Sequence, residues 1–108
     1  MATSEIMPGT LDLLVLKTLA RGPLHGYGIA QHLLKTSGNL LQVGEGSLYP
    51  ALQRLLVNEW TEAEWAQSET GRRVRLYKLT AAGRKRLKEE EREFDRMVDA
   101  IRLVLRTT

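Results

Sequence analysis

Gly46-Ser47-Leu48-Tyr49-Pro50-Ala51-Leu52-Gln53-Arg54-Leu55-Leu56-Val57-Asn58 decides the fold, together with the two β-rich runs C-terminal to it. Leu48, Leu52, Leu55 and Leu56 recur at helical spacing and predict an inward face. Ser47, Tyr49, Pro50, Gln53 and Arg54 fall on the opposite face. Proline is tolerated near a helix start, where backbone donors lack intrahelical partners. Pro50 therefore predicts a start at or just before Gly46 and a run to about Asn58. Directly after it, Trp60 to Ala66 reads as a strand, with aromatic and Thr content. Gln67-Ser68-Glu69-Thr70-Gly71-Arg72 is a polar turn, and Val74 to Thr80 is a second strand rich in β-branched and aromatic residues. Two strands joined by a Gly-bearing polar loop make a β-hairpin.

Toward the N-terminus, a helix is predicted over roughly His25 to Thr36, with Ile29, Ala30, Leu33 and Leu34 inward. Gly26 and Gly28 weaken its first turn by about 1 kcal/mol each relative to Ala, which points to close packing there. Ser37-Gly38-Asn39 ends it, and Leu40–Val43 is an apolar connector able to pair as a minimal strand. Before these lies a first helix capped by the Thr10 hydroxyl. Leu11, Leu14, Val15, Thr18 and Leu19 follow its stripe, while Leu13 and Leu16 lie off it. A helix apolar nearly all round is buried or at an interface, so Leu11 and Leu14 are candidate subunit contacts. Gly22-Pro23 stops the helix, and residues 1–9 are expected to form a flexible arm.

Toward the C-terminus, Thr80 is expected to cap a last helix, Ala81 to Arg106, about 39 Å long. A domain this small does not need such a length to close its own core. Leu87, Phe94, Val98, Ile101 and Leu105 are spaced by 7, 4, 3 and 4 residues, with Met97 and Val104 beside them. That is the heptad seam of a helix lying along a partner helix. The expected homodimer interface is therefore Leu11, Leu14, Leu87, Phe94, Met97, Val98, Ile101 and Leu105. Phe94 and Met97 also suit a small-molecule effector site, since Met packing is adaptable.

The fold class is mainly α with a small β-hairpin. Residues 10–80 read as a winged helix-turn-helix and residues 81–108 as a dimerisation helix.

Composition narrows the function. The chain has 108 residues, which fits one domain, and no cysteine, which excludes disulfides and thiolate metal sites. His25 and His32 are seven apart with no matching carboxylate, which is poor spacing for zinc. No phosphate loop, nucleophile elbow or dinucleotide fingerprint occurs, so neither an enzyme nor a cofactor is expected. No apolar run approaches the roughly 20 residues that span a bilayer, and no secretory signal is visible, so a cytoplasmic location without membrane contact is expected. The net charge of +3 conceals a strong asymmetry. Residues 1–71 carry net −3 and residues 89–108 net −2, whereas residues 72–88 carry eight basic side chains and no acidic one. A polyanion would meet one local basic segment.

A helix reads the major groove of DNA with its first turns. Gly44 and Gly46 allow close approach, Ser47 and Tyr49 offer hydroxyls, Gln53 can read adenine, and Arg54 can reach guanine or phosphate. Arg72, Arg73 and Arg75 would contact the backbone or the adjacent minor groove.

Four motifs in order carry a resemblance. They are Gly9-Thr10-Leu11-Asp12-Leu13-Leu14-Val15-Leu16, His25-Gly26-Tyr27-Gly28-Ile29, Gly46-Ser47-Leu48-Tyr49-Pro50-Ala51-Leu52, and Gly71-Arg72-Arg73 followed by Tyr77-Lys78-Leu79-Thr80-Ala81-Ala82-Gly83. Over about residues 8–106 the chain resembles PadR-type transcriptional regulators of the compact subgroup. The resemblance implies a homodimeric repressor on a pseudo-palindromic operator, with DNA contacts at Tyr27, Ser47, Tyr49, Gly71 and Arg72. The chain departs from the family pattern at Gly44-Glu45, where Ser or Thr followed by Pro is common. A weaker cap, and repulsion between Glu45 and a nearby phosphate, are the expected consequences. The other reading the sequence leaves open is a winged-helix docking module that binds protein rather than DNA.

Overall fold

The computed structural model describes residues 9–107; the expected arm, apart from Gly9, lies outside them. The elements are α1 (Thr10–Leu19), β1 (Leu24–His25), α2 (Gly26–Thr36), α3 (Glu45–Val57), β2 (Thr61–Gln67), β3 (Arg73–Leu79) and α4 (Ala81–Thr107). The strands form one antiparallel sheet in the order β1-β3-β2. Thr61 pairs with Leu79 and Gln67 with Arg73, so the hairpin is in register along its whole length.

Helix α1 is buried almost all round, as its sequence predicts: Leu11, Leu13, Val15, Leu16, Thr18 and Leu19 are all inside. The hydroxyl of Thr18 is satisfied by donating to the Leu14 carbonyl at 2.8 Å. Ile29 and Leu33 of α2, Leu48, Ala51, Leu52 and Leu55 of α3, Tyr77 and Leu79 of β3, and Leu87 of α4 close the core around it.

Helix ends explain the turns. After α2, Gly38 takes a left-handed φ of 65°, its N–H bonds to the Lys35 carbonyl, and that of Asn39 bonds to the Leu34 carbonyl. After α3 the same pattern recurs: the N–H groups of Glu59 and Trp60 reach the carbonyls of Leu56 and Leu55. Both are Schellman closures, which need a left-handed residue. In the second, Glu59 adopts φ 60° without being glycine.

Thr80 caps α4 as expected. Its hydroxyl accepts from the Gly83 N–H at 2.9 Å and donates to the Glu59 carbonyl at 2.8 Å. One side chain thus joins the foot of α4 to the end of α3. Gly83 is required there, because a Cβ would collide with the Trp60 carbonyl and lie 2.7 Å from Leu79 Cδ1. Arg86, also on α4, stacks on the Trp60 ring at 4.6 Å.

Several expectations are corrected. Thr10 does not cap α1; Gly9 is the cap residue, with φ 84° and no side-chain bond. The start that Pro50 predicts for α3, at or just before Gly46, is met at Glu45; Pro50 is the sixth residue of the helix, so the Gly46 carbonyl receives no N–H from it. Residues 40–43 form no strand. The short strand is instead β1, where Leu24 pairs with Tyr77 and His25 with Leu76. The expected close approach holds at Gly28, where a Cβ would lie 2.9 Å from Leu24 Cδ2, but not at Gly26.

The expected subunit contacts also divide. Leu11 and Leu87 belong to the chain's own core, at 4% and 6% exposure, because the first half of α4 packs on α1. Leu14 is half-buried against that core. Phe94, Met97, Ile101, Val104 and Leu105 are exposed, and Val98 is half-exposed between them. At about 1.5 Å per residue the 27-residue α4 is about 40 Å long. Its outer half gives the molecule a longest dimension of 56 Å.

Candidate nucleic-acid interface

The first turns of α3 and α2 meet at one end of the body. Gly44 and His25 are their cap residues, and neither cap makes a side-chain hydrogen bond. The weak cap expected at Gly44-Glu45 is therefore observed. Free backbone N–H groups and the positive ends of two helix dipoles are directed to this end. Glu45 in the first turn of α3 offsets part of that charge. Both helix starts border an open cavity of about 700 Å³. Tyr27, Tyr49, Tyr77 and Arg75 line it, over a floor that includes Leu48 and Leu52.

Tyr27 is 70% exposed and Tyr49 59% exposed. A tyrosine packed under a neighbouring helix would not be so open. Ser47 and Pro50 are exposed beside Tyr49. Gly44 and Gly46 have open space where a side chain would stand, so this end of α3 is shallow.

Tyr77 forms the buried wall of the cavity. Burial raises its pKa above the ordinary phenol value, and the positive charge of Arg75 opposes that shift. A neutral phenol persists there through the physiological range.

The hairpin tip is a tight polar turn. The Gly71 N–H donates to the Ser68 carbonyl at 2.9 Å, and the Ser68 N–H donates to the Arg72 carbonyl at 2.8 Å. Gly71 has φ 82°, a left-handed value that side chains resist. Arg72, Arg73 and Arg75 come next, and none has a carboxylate partner among the described residues. Strand parity sets Arg73 and Arg75 on the face that carries Tyr77 and Leu79. Trp65 of β2 pairs with Arg75 and lies on that face as well.

Tyr27, Tyr49 and Arg75 are thus brought together around one cavity, with Ser47 and Pro50 beside Tyr49 and with Gly71, Arg72 and Arg73 farther along the hairpin. Two expected residues are placed differently. Arg54 points to α1, where its Nη2 and Nε donate to the two carboxylate oxygens of Asp12 at 2.7 and 3.1 Å. Those bonds raise its pKa further. Gln53 is half-buried, and its Nε2 has no hydrogen-bond partner among the described residues. Sequence reasoning does not single out Trp65 or Asp12 for this site. Strand register can pair Trp65 with Arg75, but no local signal links Asp12 to a residue 42 positions away.

Among the described residues there is no cluster of three or more His, Asp or Glu able to hold a metal, and no helix long and apolar enough to cross a membrane.

A three-helix body followed by a hairpin, with a shallow helix start and a cationic hairpin around one cavity, defines a winged helix-turn-helix protein of the DNA-binding regulator class. The profile of the PadR-like transcriptional regulators matches residues 15–89, and the chain belongs to that family. It is similar to an uncharacterised protein of Lysinibacillus sphaericus, at 30% identity over 105 residues, covering 97% of this chain and 96% of that one. Among solved structures, a transcriptional regulator from Clostridium thermocellum superposes with a TM-score of 0.82 at 28% identity, covering 91% of this chain and 95% of that one. A PadR family regulator from Eggerthella lenta gives 0.80 at 28% identity, covering 93% and 85%.

Proposed function

We propose that this chain is a homodimeric repressor that reads a pseudo-palindromic operator. The start of α3 enters the major groove with Ser47 and Tyr49. Tyr27 and the hairpin residues Gly71, Arg72, Arg73 and Arg75 hold the flanking backbone. One observation carries the reading: Tyr27, Tyr49 and Arg75 border a single open cavity at the mouths of two helices. Arg54, tied to Asp12, serves the frame that aims α3 rather than the DNA itself. The exposed seam of α4 joins two subunits and sets their α3 helices about 34–36 Å apart, one turn of B-DNA.

A small-molecule effector fits the cavity better than the rod of α4. Its volume of about 700 Å³ lies in the range of ligand pockets, roughly 300–1,000 Å³. An occupant there would cover Tyr27 and Tyr49 and compete directly with DNA.

Salt dependence tests the reading. Each phosphate neutralised contributes about 0.9 to the slope of log affinity against log salt. Three hairpin arginines in each of two subunits therefore give a slope of about 5 on random duplex DNA. A flat slope would favour a protein-docking module instead.

A further inference from the structure

Tryptophan is usually mostly covered in a folded chain. Trp65 is 59% exposed, although it shares a sheet face with the buried Thr61 and Tyr77. The core ends one residue pair before it, and two cations take its place. The guanidinium of Arg73 stands 4.5 Å from the Trp65 ring centroid, and that of Arg75 stands 5.9 Å away. Arg75 also lies 6.0 Å from the Tyr77 ring. Neither arginine pairs with a carboxylate among the described residues.

Two like charges gathered on one ring repel each other. A fold that only needed the ring covered would do so with an apolar side chain. The arrangement makes sense when an anion completes it. A guanidinium over an aromatic face keeps its N–H edges free, and those edges suit bidentate bonds to phosphate. Arg side chains otherwise lose much rotamer freedom on binding, and a ring that already restricts them lowers that loss.

We propose that Trp65 is a positioning residue that holds Arg73 and Arg75 as a preset pair of donors for the phosphates of duplex DNA. The inference rests on the DNA-binding reading and adds to it a residue that does not itself touch the nucleic acid. The hairpin then acts as a stiff cationic edge beside α3. Glu62 and Glu64, the carboxylates of β2, lie on the opposite sheet face, facing Lys78 and Leu76.

Fluorescence anisotropy with a short random-sequence duplex, between about 50 and 200 mM salt, tests this. Trp65→Ala should weaken binding about tenfold, because two arginines per subunit must then be ordered by the DNA itself. It should also lower the salt slope, while melting and oligomeric state stay at wild-type values. Trp65→Phe, which keeps an aromatic face, should bind within about twofold of wild type. In an Arg73→Ala/Arg75→Ala background, Trp65→Ala should add no further loss. Wild-type affinity for Trp65→Ala, a failure of Phe to rescue, or a full additional loss in the arginine-free background would each overturn the inference. A flat salt slope for the wild-type protein would overturn the DNA reading and this inference with it. A steep wild-type slope with any of the other three results removes this inference alone.

Discussion

The Arg54–Asp12 contact gives the sharpest test of whether Arg54 serves the fold or the DNA. Charge and helix face place Arg54 on DNA, yet its guanidinium forms a two-bond fork with a carboxylate on α1. The Arg54 side chain is 47% exposed and that of Asp12 16%. Exposed ion pairs couple by about 0.2–1 kcal/mol, and bonds to charged groups in drier sites by about 1.5–3. A fork with one wet and one mostly covered partner should lie between, so the coupling is set at about 1 kcal/mol. The two single variants should differ. Asp12→Ala leaves a guanidinium that water can solvate and costs well under 1 kcal/mol beyond the lost bond. Arg54→Ala strands a mostly covered carboxylate and costs about 1–2 kcal/mol. Urea unfolding of both variants and the double variant yields the coupling directly. Binding of Arg54→Ala to random duplex DNA should stay within about twofold of wild type, because this cation is already engaged. Near-zero coupling together with a tenfold loss of DNA affinity would refute the argument and return Arg54 to the DNA contacts.

The same geometry carries further outcomes. Gly83→Ala should destabilise the fold by about 3 kcal/mol or more, since the added methyl meets the Trp60 backbone rather than a movable side chain. Thermal melting checks it, and a near wild-type midpoint would contradict the tight joint. Phe94→Glu together with Ile101→Glu should give a folded monomer by light scattering at micromolar concentration, because both side chains are exposed on α4 and outside the core. Tyr77 has a raised pKa in the folded state, so the unfolded chain loses the proton first as pH climbs past about 10. Its contribution is complete below that pH and declines above it. Urea midpoints measured at about pH 9 and about pH 11 should fall more for wild type than for Tyr77→Phe.

Much of the fold is legible in the sequence because its signals are local. The polar, Gly-bearing turn between two β-rich runs announces the hairpin, and Thr80 before a long amphipathic run announces a capped helix. Features that depend on distant partners are not legible. A two-residue strand such as β1 has no alternation to read and exists because the edge of β3 offers it hydrogen bonds. The stripe through Leu87, Phe94, Val98, Ile101 and Leu105 is one continuous face in sequence, but α1 covers its first residue and leaves the others exposed or, at Val98, half-exposed. Periodicity reports which face is apolar, not which neighbour covers it. The same limit applies to Trp65: strand parity gives its face, while its exposure depends on which other elements cover that face. At the interface, Tyr27, Ser47, Tyr49 and Arg72 can be picked out by motif and charge. Their gathering at one end depends on contacts between segments far apart in sequence, such as the bond from the Thr80 hydroxyl to the Glu59 carbonyl.

The central claim is that the start of α3 and the basic hairpin act together on one duplex. DNA fragments selected by the purified protein supply the operator, and Tyr49→Ala/Arg72→Ala is then titrated against it beside wild type. Specific binding should be lost in the double variant, with melting temperature and dimer mass retained. Unchanged specific affinity in that variant would contradict it.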